Sequence, residues 1–216
     1  MHTVLTNYYD FDDDGGNIYL LTVGSTTDRD RATSVANFEW AIGEIADRAG
    51  SIDQVYIWIT SHGYEDEDNM TMGSEKLSAS DFDDELDSIT SQVMYIFLGQ
   101  CFSGSFIDDL DDEQNRAIYT SCKSNETGYC TGDSQHSYWP WGITRALDAF
   151  DKAPNADVND DDRVSLDELF DWCYDYVTTI YPPDHPEYNK QHPQRWLGTS
   201  IGSDTNDYIG DETYIG

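Results

Sequence analysis

The sequence has few basic residues. It contains 11 Lys and Arg against 43 Asp and Glu, which gives a formal net charge of −32 over 216 residues. Because so acidic a surface repels phosphate groups, we do not expect nucleic acid as a partner. The charge is compatible with salt tolerance, with Ca²⁺ capture, with attraction of basic substrates, or with nothing more than a strongly hydrated surface. Composition does not separate these interpretations.

Long apolar runs are also absent. No stretch reaches the roughly 18 uninterrupted apolar residues that a membrane helix needs, and the segment after Met1 lacks the basic start and apolar run of a signal peptide. We therefore expect a soluble protein without a membrane span, cut from a longer precursor and acting outside the cell or at its surface. Apolar residues make up 38% of the chain, which is enough to bury the core of one ordinary domain.

Cysteines are too few for a disulfide scaffold. The chain has four, at Cys101, Cys122, Cys130 and Cys173. Cys122 and Cys130 are close enough in sequence to close a short loop in an oxidising compartment, and the alternative is that both remain free thiols.

Four short apolar runs, rich in β-branched and aromatic residues, predict buried strands that end in loops. They lie at residues 18–23, 55–60, 93–98 and 117–121. Apolar spacing predicts a helix within 33–50, closed by Gly50, and another within 77–89, with Ser80 or Asp81 as its N-cap. Continuous apolar strands that alternate with amphipathic helices predict an α/β fold, with a mainly parallel sheet and helices on both faces.

Two residues capable of catalysis follow two of these strands. His62 comes after the strand at 55–60 and Cys101 after the strand at 93–98. In open parallel sheets the working groups gather at the carboxyl ends of the strands. A cysteine nucleophile also needs a base, usually histidine, and backbone N–H groups that hold the developing oxyanion. A single Cys or His is more often structural, but the pair at neighbouring strand ends favours a catalytic interpretation.

The sequence around these residues resembles the legumain-like peptidases, which are relatives of the caspases. The resemblance covers about residues 18–150. It rests on TSHG at 60–63, on QCFSGSF at 100–106, and on the segment from Tyr119 through Glu126 to Tyr129. The His-Gly pair alone is a weak signal, whereas three motifs in this order, each after an apolar strand, are specific.

The resemblance implies a caspase-like three-layer sandwich and a cysteine endopeptidase. Cys101 would attack the peptide carbonyl to form a thioester acyl-enzyme, and His62 would protonate the leaving amine and then help to activate water. The backbone N–H groups of Gly63 and Cys101 would form the oxyanion hole. We expect the peptidase domain at 18–200, an acidic segment or linker at 1–17, and a tail or edge strand at 201–216. The expected partner is a peptide or protein substrate, and no organic cofactor is expected.

The resemblance also suggests a specificity pocket, built partly from the loop after the first strand. Arg31 would receive an Asn or Asp side chain, Asp30 would support His62, and Ser121 and Asp133 fall near the remaining pocket positions. The sequence departs from the family here, because DRDR at 28–31 alternates acids and bases, and it is also readable as a solvated helix entrance.

A different pocket is compatible with the same loop. Asp28 and Asp30 could receive Arg or Lys, as an acid does in the arginine-specific relatives gingipain and clostripain. Since salt screens the overall charge beyond about 8–10 Å, the walls of the pocket decide. Arg31 with Asp133 would match the donor and acceptor of a carboxamide. Because the segments around Cys101 and at 119–129 resemble legumain more closely than the arginine-specific enzymes, we favour cleavage after Asn, with Asp accepted at low pH.

A separate signal predicts a calcium site. The run at 157–168 has the ligand spacing of an EF-hand loop and the predicted ligands are Asp157, Asn159, Asp161, the carbonyl of Arg163, Ser165 and Glu168. It departs from the motif at Asp162, where glycine is expected. In so acidic a chain the alternative is a chance match.

Two further functions remain open. The fold could serve as a calcium-dependent binding module without catalysis, although retention of both Cys101 and His62 argues against this. The thioester could also be resolved by an amine, which would make the protein a transamidase or ligase, and this choice depends on water access at the acyl-enzyme. Sequence patterns leave the oligomeric state open.

Overall fold

The computed structural model describes residues 2, 5–6, 17–26, 29–65, 67–130, 137–147, 156–159, 164–179 and 191–201. The strands are β1 Leu21–Thr22, β2 Arg31–Ala32, β3 Gln54–Ile59, β4 Asn69–Met72, β5 Glu75–Ser78, β6 Val93–Leu98, β7 Arg116–Thr120 and β8 Gln194–Leu197. The helices are α1 Val35–Ala46, α2 Ala79–Leu86, α3 Ile107–Leu110, α4 Tyr138–Leu147 and α5 Leu166–Thr179, with a 3₁₀ turn at Ser103–Phe106. None of these described helices is long and apolar enough to cross a membrane.

The main sheet has the strand order β3-β6-β7-β8. Its first three strands are parallel, and all residues of β6 and β7 are buried. This burial on both faces explains why these strands are apolar throughout rather than alternating. The strands predicted at 55–60, 93–98 and 117–121 are thus confirmed to within one residue. The fourth strand, β8, runs antiparallel to β7 and makes the sheet mixed.

Helices cover both faces of this sheet. On one face Met94, Ile96 and Leu98 of β6 pack in a cluster with residues of α1 and α2. On the other face Tyr95 and Phe97 of the same strand pack with residues of α4 and α5. Because successive side chains of a strand point to opposite faces, the single run VMYIFL supplies the core of both layers. The predicted three-layer α/β sandwich is confirmed.

The face toward α4 and α5 carries a row of stacked aromatic rings. Trp58, Phe97 and Tyr119 occupy paired positions on β3, β6 and β7. Their ring centroids lie 3.7 Å and 4.8 Å apart, with interplanar angles of 2° and 9°. Cross-strand aromatic pairs each add about 0.2–1 kcal/mol beyond alanine, so the row favours this register over a slipped one and places the strand ends level.

The strand predicted at 18–23 is wrong in extent and position. Only Leu21–Thr22 pairs, and its partner is Arg31–Ala32 in a separate two-stranded parallel sheet. The backbone N–H groups of Asp30 and Thr33 donate to the carbonyls of Leu20 and Thr22. The backbone of the run IYLLTV thus hydrogen-bonds to the loop that follows it, and Val23 is 81% exposed.

Three further details differ from the sequence-based expectations. Helix α2 begins two or three residues earlier than predicted, because the Ser78 hydroxyl accepts from the backbone N–H of Asp81 and acts as the N-cap. The antiparallel hairpin of β4 and β5 has no counterpart in the predictions. Strand β8 also has no counterpart in the predictions. Residues 202–216 and the acidic run 7–16 lie outside the described residues, so these segment assignments stay predictions, although Leu5 packs in the core on the α4 and α5 face.

Candidate active site

The catalytic candidates lie together because three parallel strands end at the same row of paired residues. Ile59 of β3 pairs with Leu98 of β6, and Leu98 pairs with Thr120 of β7. His62 follows Ile59 by three residues, and Cys101 follows Leu98 by the same number. Equal distance beyond a shared row brings both to one edge of the sheet, as the sequence predicts.

The backbones of the two candidate segments touch at Gly63. A Cβ atom added to Gly63 would lie 1.8 Å from the carbonyl oxygen of Cys101 and 2.9 Å from its carbonyl carbon. It would also lie 3.1 Å from Cγ of Gln100. No side chain fits in this space, so glycine is required for the segment after His62 to pack against the turn that carries Cys101.

The unpredicted hairpin holds the histidine segment from the other side. The N–H of Thr71 donates to the carbonyl of His62 over 2.8 Å, and the N–H of Tyr64 donates to Asn69 over 3.2 Å. The Ser61 hydroxyl donates to the carbonyl of Thr71. These bonds hold the backbone in place while the His62 side chain remains exposed to solvent.

Cys101 stands on a sharp turn between β6 and the 3₁₀ turn. The next residue, Phe102, adopts the left-handed conformation with φ 58° and ψ 18°. This conformation is uncommon for a non-glycine residue and costs of order 1–3 kcal/mol. Its N–H donates to the carbonyl of Glu126 over 2.8 Å, and its carbonyl accepts from Ser105 over 3.0 Å. Strand, strained turn and helix thereby hold Cys101 half-buried at the sheet edge.

The Cys101 thiol contacts the loop that follows β7. Its Sγ donates to the carbonyl oxygen of Gly128 over 3.5 Å. Among the described residues this is its hydrogen-bond partner, so the thiol and the His62 imidazole form no direct pair. The arrangement suits His62 as an acid for the leaving group better than as a preformed activator of the thiol.

A buried polar network lies beneath the Cys101 turn. The Ser121 hydroxyl donates to the carbonyl of Gln100 over 2.8 Å and lies 3.1 Å from the Ser103 hydroxyl. Ser121 is only 1% exposed. It therefore supports the turn from below, whereas the sequence predicted a position near the substrate pocket.

Cys122 belongs to the same network and forms no disulfide. Burial raises the pKa of its thiol, although hydrogen bonds from Ser103 and Ser121 oppose the shift. Cys130 is exposed, and all four cysteines are free thiols. A buried thiol and an exposed one eight residues apart do not meet here, so the Cys122–Cys130 bridge is not formed.

The first loop is held by its own contacts. One carboxylate oxygen of Asp30 accepts from the N–H of Leu20 over 2.6 Å. The guanidinium of Arg31 lies 3.6 Å from the ring centroid of Trp40, and its Nη1 lies 3.5 Å from Oδ1 of Asn37. Both Asp30 and Arg31 are exposed. No described hydrogen bond or ion pair joins either residue to His62 or Cys101. The other two pocket candidates, Asp28 and Asp133, lie outside the described residues.

The calcium-loop candidates converge on Glu168. One carboxylate oxygen accepts from the N–H groups of Val158 and Asn159 over 3.1 and 3.3 Å, and the other accepts from Ser165. The two ends of the loop thus meet at this carboxylate, next to Asp157. Ser165 and Glu168 also form a reciprocal capping box at the start of α5, which explains the same residues without a metal. Asp161 and Arg163 lie outside the described residues.

Three residues near Cys101 are absent from the predicted site. Gln191 and His192 hydrogen-bond to the loop after β7, Gln191 to Ser121 and Tyr129 and His192 to Glu126. Glu126 was noted only as part of the resemblance. Gln191 and His192 carry no local signal, because they reach the site from more than sixty residues away in sequence.

The comparisons with known proteins agree with this geometry. A search of the curated proteins gives no match. A profile of the Peptidase C13 family matches residues 43–179, which is more than half of the chain. The match includes His62, Gly63 and Cys101 and ends with α5, before Gln191 and β8. With a confirmed α/β sandwich and both candidate residues at the shared edge of its sheet, the chain belongs to the Peptidase C13 family, the legumain family of cysteine peptidases.

Proposed function

We propose that this protein is an endopeptidase in which Cys101 is the nucleophile and His62 the general acid and base. The observation that carries the proposal is the backbone contact between Gly63 and Cys101 at the level ends of β3 and β6. This contact joins the segment that carries an exposed imidazole to the strained turn that carries a half-buried thiol. Such a pair provides the two groups that acyl transfer through sulfur requires.

The reaction proceeds in two halves. The proton of the Cys101 thiol passes through water to the His62 imidazole, and the thiolate adds to the scissile carbonyl. As the C–N bond breaks, the His62 imidazolium gives that proton to the leaving amine. A thioester to Cys101 remains. Neutral His62 then takes a proton from a water molecule as its oxygen attacks the thioester, and the thiolate leaves. Atoms and charges balance without a cofactor.

Two backbone N–H groups are available for the oxyanion. Among the described residues, the N–H groups of Gly63 and Cys101 donate to no protein acceptor. They belong to the two segments that touch at the sheet edge. Donors of this kind stabilise a tetrahedral intermediate most when they are preorganised, and each is worth about 10²–10³ in kcat.

For the residue before the scissile bond we propose Asn, with Asp accepted at low pH. Arg31 is exposed and its guanidinium is oriented by Trp40, so a preorganised donor fork is present in the first loop. A protonated Asp side chain offers the same donor and acceptor pair as the amide of Asn. The alternative pocket for Arg or Lys would use Asp28 and Asp30. The Asp30 carboxylate already accepts a backbone hydrogen bond, which occupies part of its capacity.

We also propose that Ca²⁺ binds the loop at 157–168. The support is the oxygen-rich donor set and the convergence of both loop ends on the Glu168 carboxylate. Asp157, Asn159, Ser165 and Glu168 would hold the ion together with Asp161 and the carbonyl of Arg163. The ion would supply charge neutralisation within an acidic loop and a cross-link between residues before and after it. It would take no part in peptide cleavage.

A peptide panel tests the catalytic proposal. Otherwise identical peptides carry Asn, Asp, Arg or Lys before the scissile bond, and products are identified by mass spectrometry with and without an added amine. Cys101→Ala and His62→Ala should each lower kcat/KM by roughly 10⁴–10⁶-fold with unchanged circular dichroism. Cys130→Ala, which removes an exposed thiol, is the matched control and should remain active. Full activity of Cys101→Ala would exclude the mechanism.

The same panel tests specificity and product. Arg31→Ala should lose cleavage after Asn, while Arg29→Ala, in the same loop, should retain it. Preference for Arg or Lys would assign the pocket to Asp28 or Asp30 instead. Amide-ligated products in place of acids would assign the protein as a transamidase.

A further inference from the structure

The loop after β7, residues 121–130, contacts the Cys101 turn at two points. The carbonyl of Gly128 accepts from Sγ of Cys101, and the carbonyl of Glu126 accepts from the N–H of Phe102. The thiol and the strained turn beside it are therefore in place only while this loop keeps its conformation. What holds the loop thus bears on catalysis.

The Gln191 side chain bridges both ends of this loop. Its Nε2 donates to the carbonyl of Ser121 over 3.0 Å, and its Oε1 accepts from the N–H of Tyr129 over 2.9 Å. Gln191 is 2% exposed, so these bonds form away from water. Loss of a partner there would leave buried backbone groups unsatisfied, which is costly. The single Gln191 side-chain amide thus joins the two ends of the loop.

His192 holds the middle of the loop through Glu126. Its backbone N–H donates to Oε2 of Glu126 over 2.8 Å, and its ring Nδ1 lies 2.7 Å from Oε1. The same carboxylate accepts from the N–H of Lys123. Glu126 is the residue whose carbonyl accepts from Phe102, so its position passes directly to the Cys101 turn.

The anchor for both residues is the sheet itself. Gln191 and His192 lead into β8, whose first residue Gln194 pairs with Thr120 at the end of β7. The Gln194 side chain also approaches the turn, since a Cβ added to Gly104 would lie 2.4 Å from its Oε1. Gln191, His192 and Gln194 lie beyond the part of the chain that the family profile matches.

We infer that Gln191 and His192 are positioning residues of the catalytic site, which hold the loop 121–130 against the Cys101 turn. The inference rests on the proposed role of Cys101. We call these two residues the clamp. Because the clamp contacts the loop beside the nucleophile and not the substrate pocket, its loss lowers kcat and kcat/KM together and leaves KM nearly unchanged.

The test compares two glutamines that tie the same C-terminal segment to β7. Gln191→Met removes the clamp at nearly constant volume. Gln114→Met is the matched control, because Oε1 of Gln114 accepts from the N–H and hydroxyl of Thr199 at the opposite end of β7. Gln191→Met should lower kcat by at least about tenfold, with KM within about threefold, and Gln114→Met should keep the parental kcat.

Amide hydrogen exchange at Phe102 gives a readout that does not depend on turnover. Gln191→Met should speed exchange at Phe102 and Tyr129 by about tenfold or more while the amides of β6 stay protected. Parental kcat in Gln191→Met, an equal loss in Gln114→Met, or unchanged exchange at Phe102 overturns the inference. If the parent protein cleaves no peptide, the proposed function fails, and exchange at Phe102 still decides whether the clamp exists. Should Gln191→Met not fold, His192→Leu, which keeps the backbone N–H, should show the same pattern at smaller amplitude.

Discussion

The two ends of the main sheet differ in how they treat buried polar groups. At the amino end, the guanidinium of Arg116 is 2% exposed and forms ion pairs with Asp83, with Asp87 at 2.8 Å and with Asp112 at 3.8 Å. At the carboxyl end, Cys101 forms no ion pair among the described residues, and its thiol bonds to a neutral carbonyl. One end neutralises its charges internally, and the other leaves its reactive groups available.

Stability and catalysis thus depend on different ends of the main sheet. A buried charge that loses its partner is strongly destabilising, so the amino end tolerates little change. An exposed imidazole and a half-buried thiol contribute little to packing, so His62 and Cys101 can be altered without loss of the fold. Substitutions at the two ends should therefore affect different measurements.

The largest effect on the stability of the fold is expected at Arg116. Arg116→Met leaves the Asp83 carboxylate, whose side chain is 13% exposed, without its partner and should lower the free energy of unfolding by about 3 kcal/mol, measured by urea denaturation. Activity per folded molecule should remain. Arg195→Met removes a partly exposed pair with Asp167 and should cost about 1 kcal/mol or less. Equal losses in the two variants would contradict the comparison.

The pH dependence of the Arg116→Met variant follows from Asp83. Burial raises the pKa of Asp83 even with Arg116 present, while the Arg116 hydrogen bond and charge oppose the shift. A carboxyl group whose folded pKa is raised favours the protonated form, so its folded state gains relative stability as pH falls through that pKa. The deficit of the variant should therefore shrink as the pH falls from neutral through the raised pKa of Asp83. A deficit that grows on acidification would exclude this account.

The second largest effect concerns turnover. Gly63→Ala places a Cβ 1.8 Å from the Cys101 carbonyl oxygen, so the two catalytic segments must separate. We expect kcat/KM to fall by about 10²–10³-fold, the loss typical of a displaced oxyanion donor. Gly43→Ala, in α1, meets nothing within 4 Å and should keep full activity. If Gly63→Ala is fully active, the contact has no catalytic role.

Calcium tests whether the loop at 157–168 adds stability through a charged cluster. At 100 times its Kd, Ca²⁺ should stabilise the fold by about 2.7 kcal/mol, a rise in Tm of about 5–10 °C for a domain of this size. Glu168→Gln keeps the capping box with Ser165 but removes the charged ligand, so it should fold normally and lose this response. Asp171→Asn, on the exposed side of α5, is the control. An unchanged response in Glu168→Gln would refute the site.

The smallest effect is the order of thiol labelling. The proposed mechanism uses Cys101 as the nucleophile, so at neutral pH iodoacetamide should modify Cys101 about tenfold faster than exposed Cys130. Burial raises the pKa of Cys122 and raises that of Cys173 strongly, so both should stay unlabelled until the protein unfolds. Peptide mass spectrometry after timed labelling measures the order. Faster labelling of Cys130 would remove the argument for an activated Cys101.

Local patterns predicted most of the sheet and both catalytic candidates. The runs at 55–60, 93–98 and 117–121 are apolar enough to be buried on both faces, and burial of this kind fixes strand positions closely. The first strand was wrong because apolar composition does not say which backbone groups pair with it. The N-cap of α2 was misplaced because Ser78 and Ser80 are equally good caps by type, and the end of the hairpin decides between them.

The sequence by itself determined the layered fold and the placement of His62 and Cys101 at strand ends, because periodicity and burial act over a few residues. Only the tertiary structure decided that Gly63 touches Cys101, that Ser121 lies beneath the turn, and that Gln191 and His192 hold the loop at 121–130. These contacts join residues far apart in the chain. Their hydrogen bonds depend on how strands and loops meet in space, and no local pattern of residue types encodes that meeting.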